Sequence, residues 1–272
     1  MAERRELSPP VDPFRQNLDL ALKEIEAEPE LIKREKLMQA LENALAQADL
    51  PGAVEALQNG NQTEASRDLQ LRLLRRWAGN DPPAAADWIS RMPAGAARQE
   101  ALHAVVMEWA DQNLWQAVEW ARGLPQSDER QSALLNAASV VARTAPTEAL
   151  AVVAELPVSA ARDNLITHAA MLWAVATPET AIAWAKQIAD PPLRERVLAA
   201  IAIAWSESDP VAAANLAVHS LAPGGPQDDA IIGIVRWWAQ TDPEAVTAWV
   251  SQFPEAQLRE KAVAILATAP AK

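Results

Sequence analysis

Residues 98–129 read RQEALHAVVMEWADQNLWQAVEWARGLPQSDE, and the order of apolar, small and capping residues in this stretch decides the fold. Leu102, Val105, Val106 and Trp109 sit at i, i+3, i+4 and i+7, the apolar stripe of an amphipathic helix. Ala110 follows the tryptophan. Asn113 then supplies a side-chain oxygen able to cap a second, shorter helix, which carries Ala117 and Trp120. Pro125 stops that helix. The stretch reads as one αα-hairpin.

The same order recurs along the chain. Trp77, Trp109, Trp173, Trp205 and Trp238 fall 32, 64, 32 and 33 residues apart. Trp88, Trp120, Trp184 and Trp249 keep the same beat, with Val152 and Leu216 in the missing registers. Ala46, Ala78, Ala110, Ala142, Ala174, Ser206 and Ala239 hold the position after the first Trp register, which predicts close helix packing there. Asp81-Pro82, Thr177-Pro178, Asp209-Pro210 and Asp242-Pro243 place a capping side chain before a proline. Asp49 and Asn113 keep the cap alone, and Ala145-Pro146 keeps the proline alone. Pro93, Pro125, Pro157 and Pro254 are the stops. A fixed period in this range is the signature of a repeat array, in which each unit buries its apolar face against its neighbours.

The expected fold is therefore all-α: a right-handed α-solenoid of about seven αα-hairpin repeats with an N-terminal capping helix and a C-terminal single helix. The hairpins run over 34–65, 66–97, 98–129, 130–161, 162–193, 194–226 and 227–258, and the last helix starts at Arg259. Residues 1–29 form an N-terminal arm and the capping helix, with Leu18, Ala21, Leu22 and Ile25 on one face, and 30–272 form the repeat domain. At ordinary helix spacing the body would be about 65–75 Å long. The helix-turn-helix unit with its Trp, small-residue and proline positions resembles the tetratricopeptide superfamily of α-solenoids, and HEAT-like repeats are the other relative. The period of 32 is shorter than the tetratricopeptide one, and the Trp-Ala pair closes the first helix instead of opening it. The resemblance implies a binding scaffold and assigns no residue a role.

Composition narrows the function classes. A net charge of −12 opposes a duplex nucleic-acid partner, because such binding rests on basic groups that displace counterions. Cysteine is absent, so disulfides and thiolate metal sites are excluded. No apolar run reaches the roughly 18 residues of a membrane span, and Met1 to Pro13 has no apolar core of a signal peptide. Residue order leaves the location unknown: it fits the cytoplasm, or the periplasm if a leader was removed.

Catalytic and metal motifs are not in view. His103 and His168 lie two repeats apart, roughly 18–20 Å, too far to share one ion. His219 is in another register. Gly224-Gly225 between prolines reads as a loop hinge, not a phosphate cradle. No cofactor or metal is expected.

The candidate site is the outward face of the long helices. Its registers give His103, Met107, Leu135, Asn136, Ser139, Thr167, His168, Met171, Ala199, Ala200, Ile203, Ile232 and Arg236. That strip is apolar for a solvated face, and methionines suit adaptable binding surfaces. It either receives a partner or packs on itself across a tightly curled wall. Nine tryptophans are expected in the core. Trp115, in a first-turn register held elsewhere by Pro83, Thr147, Glu179, Val211 and Glu244, is a candidate surface anchor.

Arg34, Arg98, Arg130, Arg162, Arg194 and Arg259 form a ladder at helix starts; bonds to carbonyls of the preceding unit or to acids such as Glu195 and Glu260 are the expected reason, and a ligand-binding ladder is the alternative. Arg67, Arg72, Arg75 and Arg76 form a basic cluster that either holds an acidic peptide or phosphate or pairs with Glu42 and Glu108.

The leading expectation is a non-enzymatic repeat scaffold that binds a protein or peptide along its concave face. Two rivals are a structural component that uses its ends, and a helical-repeat enzyme such as a HEAT-like DNA glycosylase. The closing helix leaves Ala264, Ile265 and Ala267 bare while Val263 and Leu266 continue the inward stripe. This end could therefore contact another copy, a partner or the N-terminal helix.

Overall fold

In a computed structural model, residues 13–125, 127–253 and 256–268 are described, and all regular structure among them is helical. The chain divides into two compact units, Met1–Glu129 and Arg130–Lys272. Unit 1 holds α1 (Pro13–Ala27), α2 (Leu31–Ala48), α3 (Leu50–Gln58), α4 (Glu64–Asn80), α5 (Pro82–Ser90) and α6 (Ala96–Arg122). Unit 2 holds α8 (Pro146–Val153), α9 (Ala160–Ala176), α10 (Pro178–Ala185), α11 (Pro191–Trp205), α12 (Pro210–Ser220), α13 (Gly225–Thr241), α14 (Pro243–Val250) and α15 (Ala256–Thr268). The remaining helix, α7 (Ser127–Val141), begins at the end of the first unit and runs into the second.

Long and short helices alternate because a corner interrupts the chain at a regular interval. Asp49, Asp81, Asn113, Ala145, Thr177, Asp209 and Asp242 all leave helical geometry, with φ from −140 to −156° and ψ from 66 to 95°. Asn113 does so inside α6, which is two helices joined at that residue. Two devices make the corner. A residue before proline is pushed out of the α region by the proline ring, and a side-chain oxygen can accept from an orphan N–H of the next helix. Asp81, Asp209 and Asp242 use both, their carboxylates accepting from Ala84, Ala212 and Ala245 at 3.1, 2.9 and 3.0 Å. Asp49 and Asn113 use only the cap, to Gly52 and Gln116 at 3.1 Å each. Ala145 and Thr177 use only the proline, so Thr177 does not cap as its sequence suggested. Pro254 lies outside the described residues.

In unit 1, α2 packs on α4 and α4 on α6; in unit 2, α9 packs on α11, α11 on α13, and α13 on α15. Short helices pack on the long helices before and after them, as α10 does on α9 and α11. The small register lies at these contacts: Ala78, Ala110, Ala142, Ala174 and Ser206 are at most 1 % exposed. Leu18, Leu22 and Ile25 of α1 are buried, and α1 packs on α2 and α4.

The two tryptophan registers meet inside each hairpin. Trp77–Trp88, Trp109–Trp120, Trp173–Trp184 and Trp238–Trp249 have ring centroids 6.3, 5.9, 6.0 and 5.7 Å apart and planes tilted by 53, 43, 55 and 41°. Such offset pairs add about 0.5–1.5 kcal/mol beyond area burial. Burial is less complete than the sequence implied. Trp77, Trp109 and Trp238 are buried, whereas Trp173, Trp205 and the four tryptophans of the second register are half-buried. The short helices end each layer, so the second indole covers the first and keeps one face toward the surface.

The arginine ladder caps carbonyls. Arg34 donates to Glu28 O at 2.8 and 3.0 Å, Arg98 to Ser90 O and Met92 O at 3.2 and 2.9 Å, and Arg194 to Ile188 O at 3.0 Å. Ser66 and Gln227, which occupy the same register, also reach back to carbonyls at Asn61 and Leu221. Helix ends leave such acceptors unpaired, and this register satisfies them. Arg162 instead pairs with Asp163 at 3.1 Å, and Glu195 accepts from the Ala222 amide.

Arg98 is buried and its Nη2 lies 2.9 Å from Glu129, whose side chain is only 3 % exposed. A buried cation stripped of its partner is costly, so Glu129→Ala is expected to destabilise the protein by about 3–5 kcal/mol. Urea unfolding monitored by tryptophan fluorescence measures it, and a loss near zero would mean that the carbonyls alone satisfy Arg98. In the same assay Asn113→Ala, which removes the only device at its corner, should cost about 1–2 kcal/mol. Asp81→Ala, with its proline intact, should cost less.

Candidate functional site

The outward registers of the long helices are half-open. In unit 2 the neighbours α9, α11 and α13 carry them in sequence: Thr167, Ala199 and Ile232; His168, Ala200 and Gly233; Met171, Ile203 and Arg236. His168 and Arg236 are exposed, whereas Thr167, Met171, Ala200, Ile203 and Ile232 are half-buried. Ala199 is buried and leaves the strip. The Thr167 hydroxyl donates to Asp163 O at 2.8 Å, so its methyl is left for contact. On α7 the same registers hold half-buried Leu135 and Asn136 and exposed Ser139, whose hydroxyl donates to Asn136 O at 2.8 Å. In unit 1, α6 offers exposed His103 and half-buried Met107, while Ala104 is buried.

One member of the strip is pinned. A Cβ built on Gly233 would stand 2.8 Å from Ile203 Cγ1 and 3.1 Å from its Cδ1. Ile203 therefore packs into the space a glycine leaves on α13, and α11 and α13 come close at that point. Met171 and Ile232 stay half-open, because their faces have no helix laid across them among the described contacts.

Trp115 stands in the first turn after the Asn113 corner and is 47 % exposed. Trp237, which belongs to neither tryptophan register, is 38 % exposed. The closing helix α15 differs from its sequence reading. Leu258 and Ala262 form its buried stripe, while Val263, expected inside, is 51 % exposed and Ile265 and Leu266 are half-buried.

Two arginines of the basic cluster, Arg72 and Arg76, pair with carboxylates of the protein itself. Arg72 grips Glu35 through both Nη atoms, at 2.6 and 2.9 Å, and turns its Nε to Asp68 at 3.0 Å. These bonds hold the Glu35 carboxyl below its ordinary pKa and raise that of Arg72. Arg76 reaches Glu42 at 3.4 Å and Asn43 at 2.7 Å. Glu108 lies beside Gly79 instead of pairing with an arginine. Arg67 donates to the Gln62 carbonyl at 3.1 Å, and Arg75 is exposed.

A cavity of about 540 Å³ between α3 and α5 was not anticipated. Trp77 and Trp88, one from each tryptophan register, form part of its wall. Residue order gave no signal for it, because its lining joins two short helices about thirty residues apart in the chain. Among the described residues no cluster of His, Asp and Glu has metal-binding geometry, and no helix is long and apolar enough to cross a membrane.

The Ile203–Gly233 contact is testable by a double-mutant cycle. Gly233→Ala should cost about 1–3 kcal/mol by overpacking, and Ile203→Ala in the same chain should recover part of it. Additive losses in thermal unfolding would show that the two residues do not compete for one space. Compared with known proteins, the chain matches no family model, no curated protein and no solved structure.

Proposed function

We propose that this chain is a non-enzymatic repeat scaffold that binds a protein or peptide segment along the outward face of its long helices. In this reading the hairpins stack as a right-handed α-solenoid of about seven repeats, of the tetratricopeptide-like or HEAT-like kind, and the strip is its concave wall. Support for the stacking comes from the corner that recurs every 32 residues and from the packing of each long helix on the next within a unit.

The observation that carries the binding role is the half-open row Met171, Ile203 and Ile232, flanked by exposed His168 and Arg236. A surface that exposes apolar side chains in register, rimmed by polar ones, has the composition of a contact site: the apolar centre supplies burial and the rim supplies orientation. Methionine adds adaptability, since its unbranched chain fits differing partners. Leu135, Asn136, Ser139 and Thr167 extend the row in unit 2. His103 and Met107 present the same registers in unit 1, and Trp115 is a separate aromatic anchor.

A photo-crosslinking amino acid placed at Met171 is expected to trap a discrete partner in source lysate, while one placed at exposed Val218 on α12 traps none. Ile232→Asp should abolish the adduct without altering helicity by circular dichroism. Equal trapping at both positions, or an adduct that survives Ile232→Asp, would move the site to another face.

A further inference from the structure

The cavity between α3 and α5 lies on short helices, away from the long-helix strip, and its lining has a definite chemistry. Pro51, Glu55, Gln58 and Asn59 come from one side and its end, and Ala84, Asp87, Trp88 and Arg91 from the other. Each set follows helical spacing, so each is one face of its helix. The floor is aromatic. Trp88 is half-buried and rests against buried Trp77, with centroids 6.3 Å apart, so its exposed face is held in one orientation.

The polar groups are not balanced. Glu55 is exposed, and its carboxylate has no ion-pair or hydrogen-bond partner among the described residues. The one cation on the lining, Arg91, is folded back on its own helix: its Nε donates to Asp87 O at 3.3 Å and its Nη2 lies 4.0 Å from Asp87 Oδ2. The amide oxygen of Gln58 accepts from Gln70 at 3.0 Å. A fixed indole face beside an unpaired carboxylate suits a cation. The quadrupole of tryptophan attracts positive charge across its face more strongly than that of tyrosine or phenylalanine. The chain's net charge of −12 favours the approach of such a group at long range.

We propose that this groove binds the cationic side chain of a basic peptide, a lysine or arginine laid across Trp88 with its charge directed to Glu55. The apolar stem of such a side chain packs against Met92 and the prolines at the rim, and its head meets the indole and the carboxylate. The site is independent of the long-helix strip, so its failure would leave the reading of that strip untouched.

The test uses the full chain, with indole N–H resonances followed by NMR during titration. The probes are blocked pentapeptides, Gly-Gly-Xaa-Gly-Gly, with lysine, trimethyllysine, norleucine or glutamate at the centre, and a blocked Gly-Pro-Pro-Pro-Gly. Lysine and trimethyllysine should shift the Trp88 resonance with saturation, whereas norleucine and glutamate should not. Glu55→Gln, a change at an exposed position that leaves the fold intact, should weaken lysine binding by roughly fivefold. Added salt should weaken it further in the wild type. Norleucine binding as well as lysine, or an unchanged affinity in Glu55→Gln, would show that charge is not what the groove reads. Preference for the proline probe would assign it to extended proline-rich segments instead. A Trp88 resonance unmoved by every probe would overturn the site altogether.

Discussion

At every thirty-second residue the backbone must leave the helix, and the packing of both units depends on how that departure is enforced. At Thr177 and Ala145 the following proline excludes the α conformation, and no side-chain cap assists. At Asp49 and Asn113 the next residue is leucine, and a side-chain oxygen does the work by accepting from an amide three residues on. The two devices are chemically unrelated, yet they give backbone angles within a narrow range of one another. That common geometry lets a long helix and the short one after it close on each other with two indoles, or their aliphatic stand-ins, between them.

Other recurring positions serve the same geometry. The small residue after the first Trp register sits at zero or near-zero exposure in most copies, where a larger side chain would push neighbouring helices apart. The register of Arg34, Ser66, Arg98, Arg194 and Gln227 varies in chemistry and keeps one task, donating to carbonyls left open behind it. Its cations oppose the dipole of the helix on which they stand but lie at the negative end of what precedes them. Where the array departs from its own pattern, surface features appear. Gly233, in the register that His168 and Ala200 hold on the preceding long helices, lets Ile203 of α11 sink against α13.

Much was readable from residue order because the determining interactions are local. Helix type follows from apolar spacing, the corners from proline and cap residues a few positions apart, and the ladder from donors six residues beyond their acceptors. The candidate strip was readable in the same way, since the face opposite a buried stripe is fixed by the helical period. Its individual members were less so: Ala199 is buried, and Ile203 partly fills the space beside Gly233.

What residue order determined by itself, then, is the all-helical fold among the described residues, its punctuation and the faces of its helices, because each rests on contacts within a turn or two of chain. Tertiary structure alone decided how far each face is covered. Trp109 is buried and Trp173 half-buried although both occupy the same register, and Val263 faces outward although it continues an apolar stripe. Coverage depends on the size and approach of side chains from neighbouring helices, and no periodicity within one helix encodes it. The buried Arg98–Glu129 pair and the groove at Trp88 belong to the same class: each needs residues about thirty positions apart in the chain to meet, and packing settles that meeting.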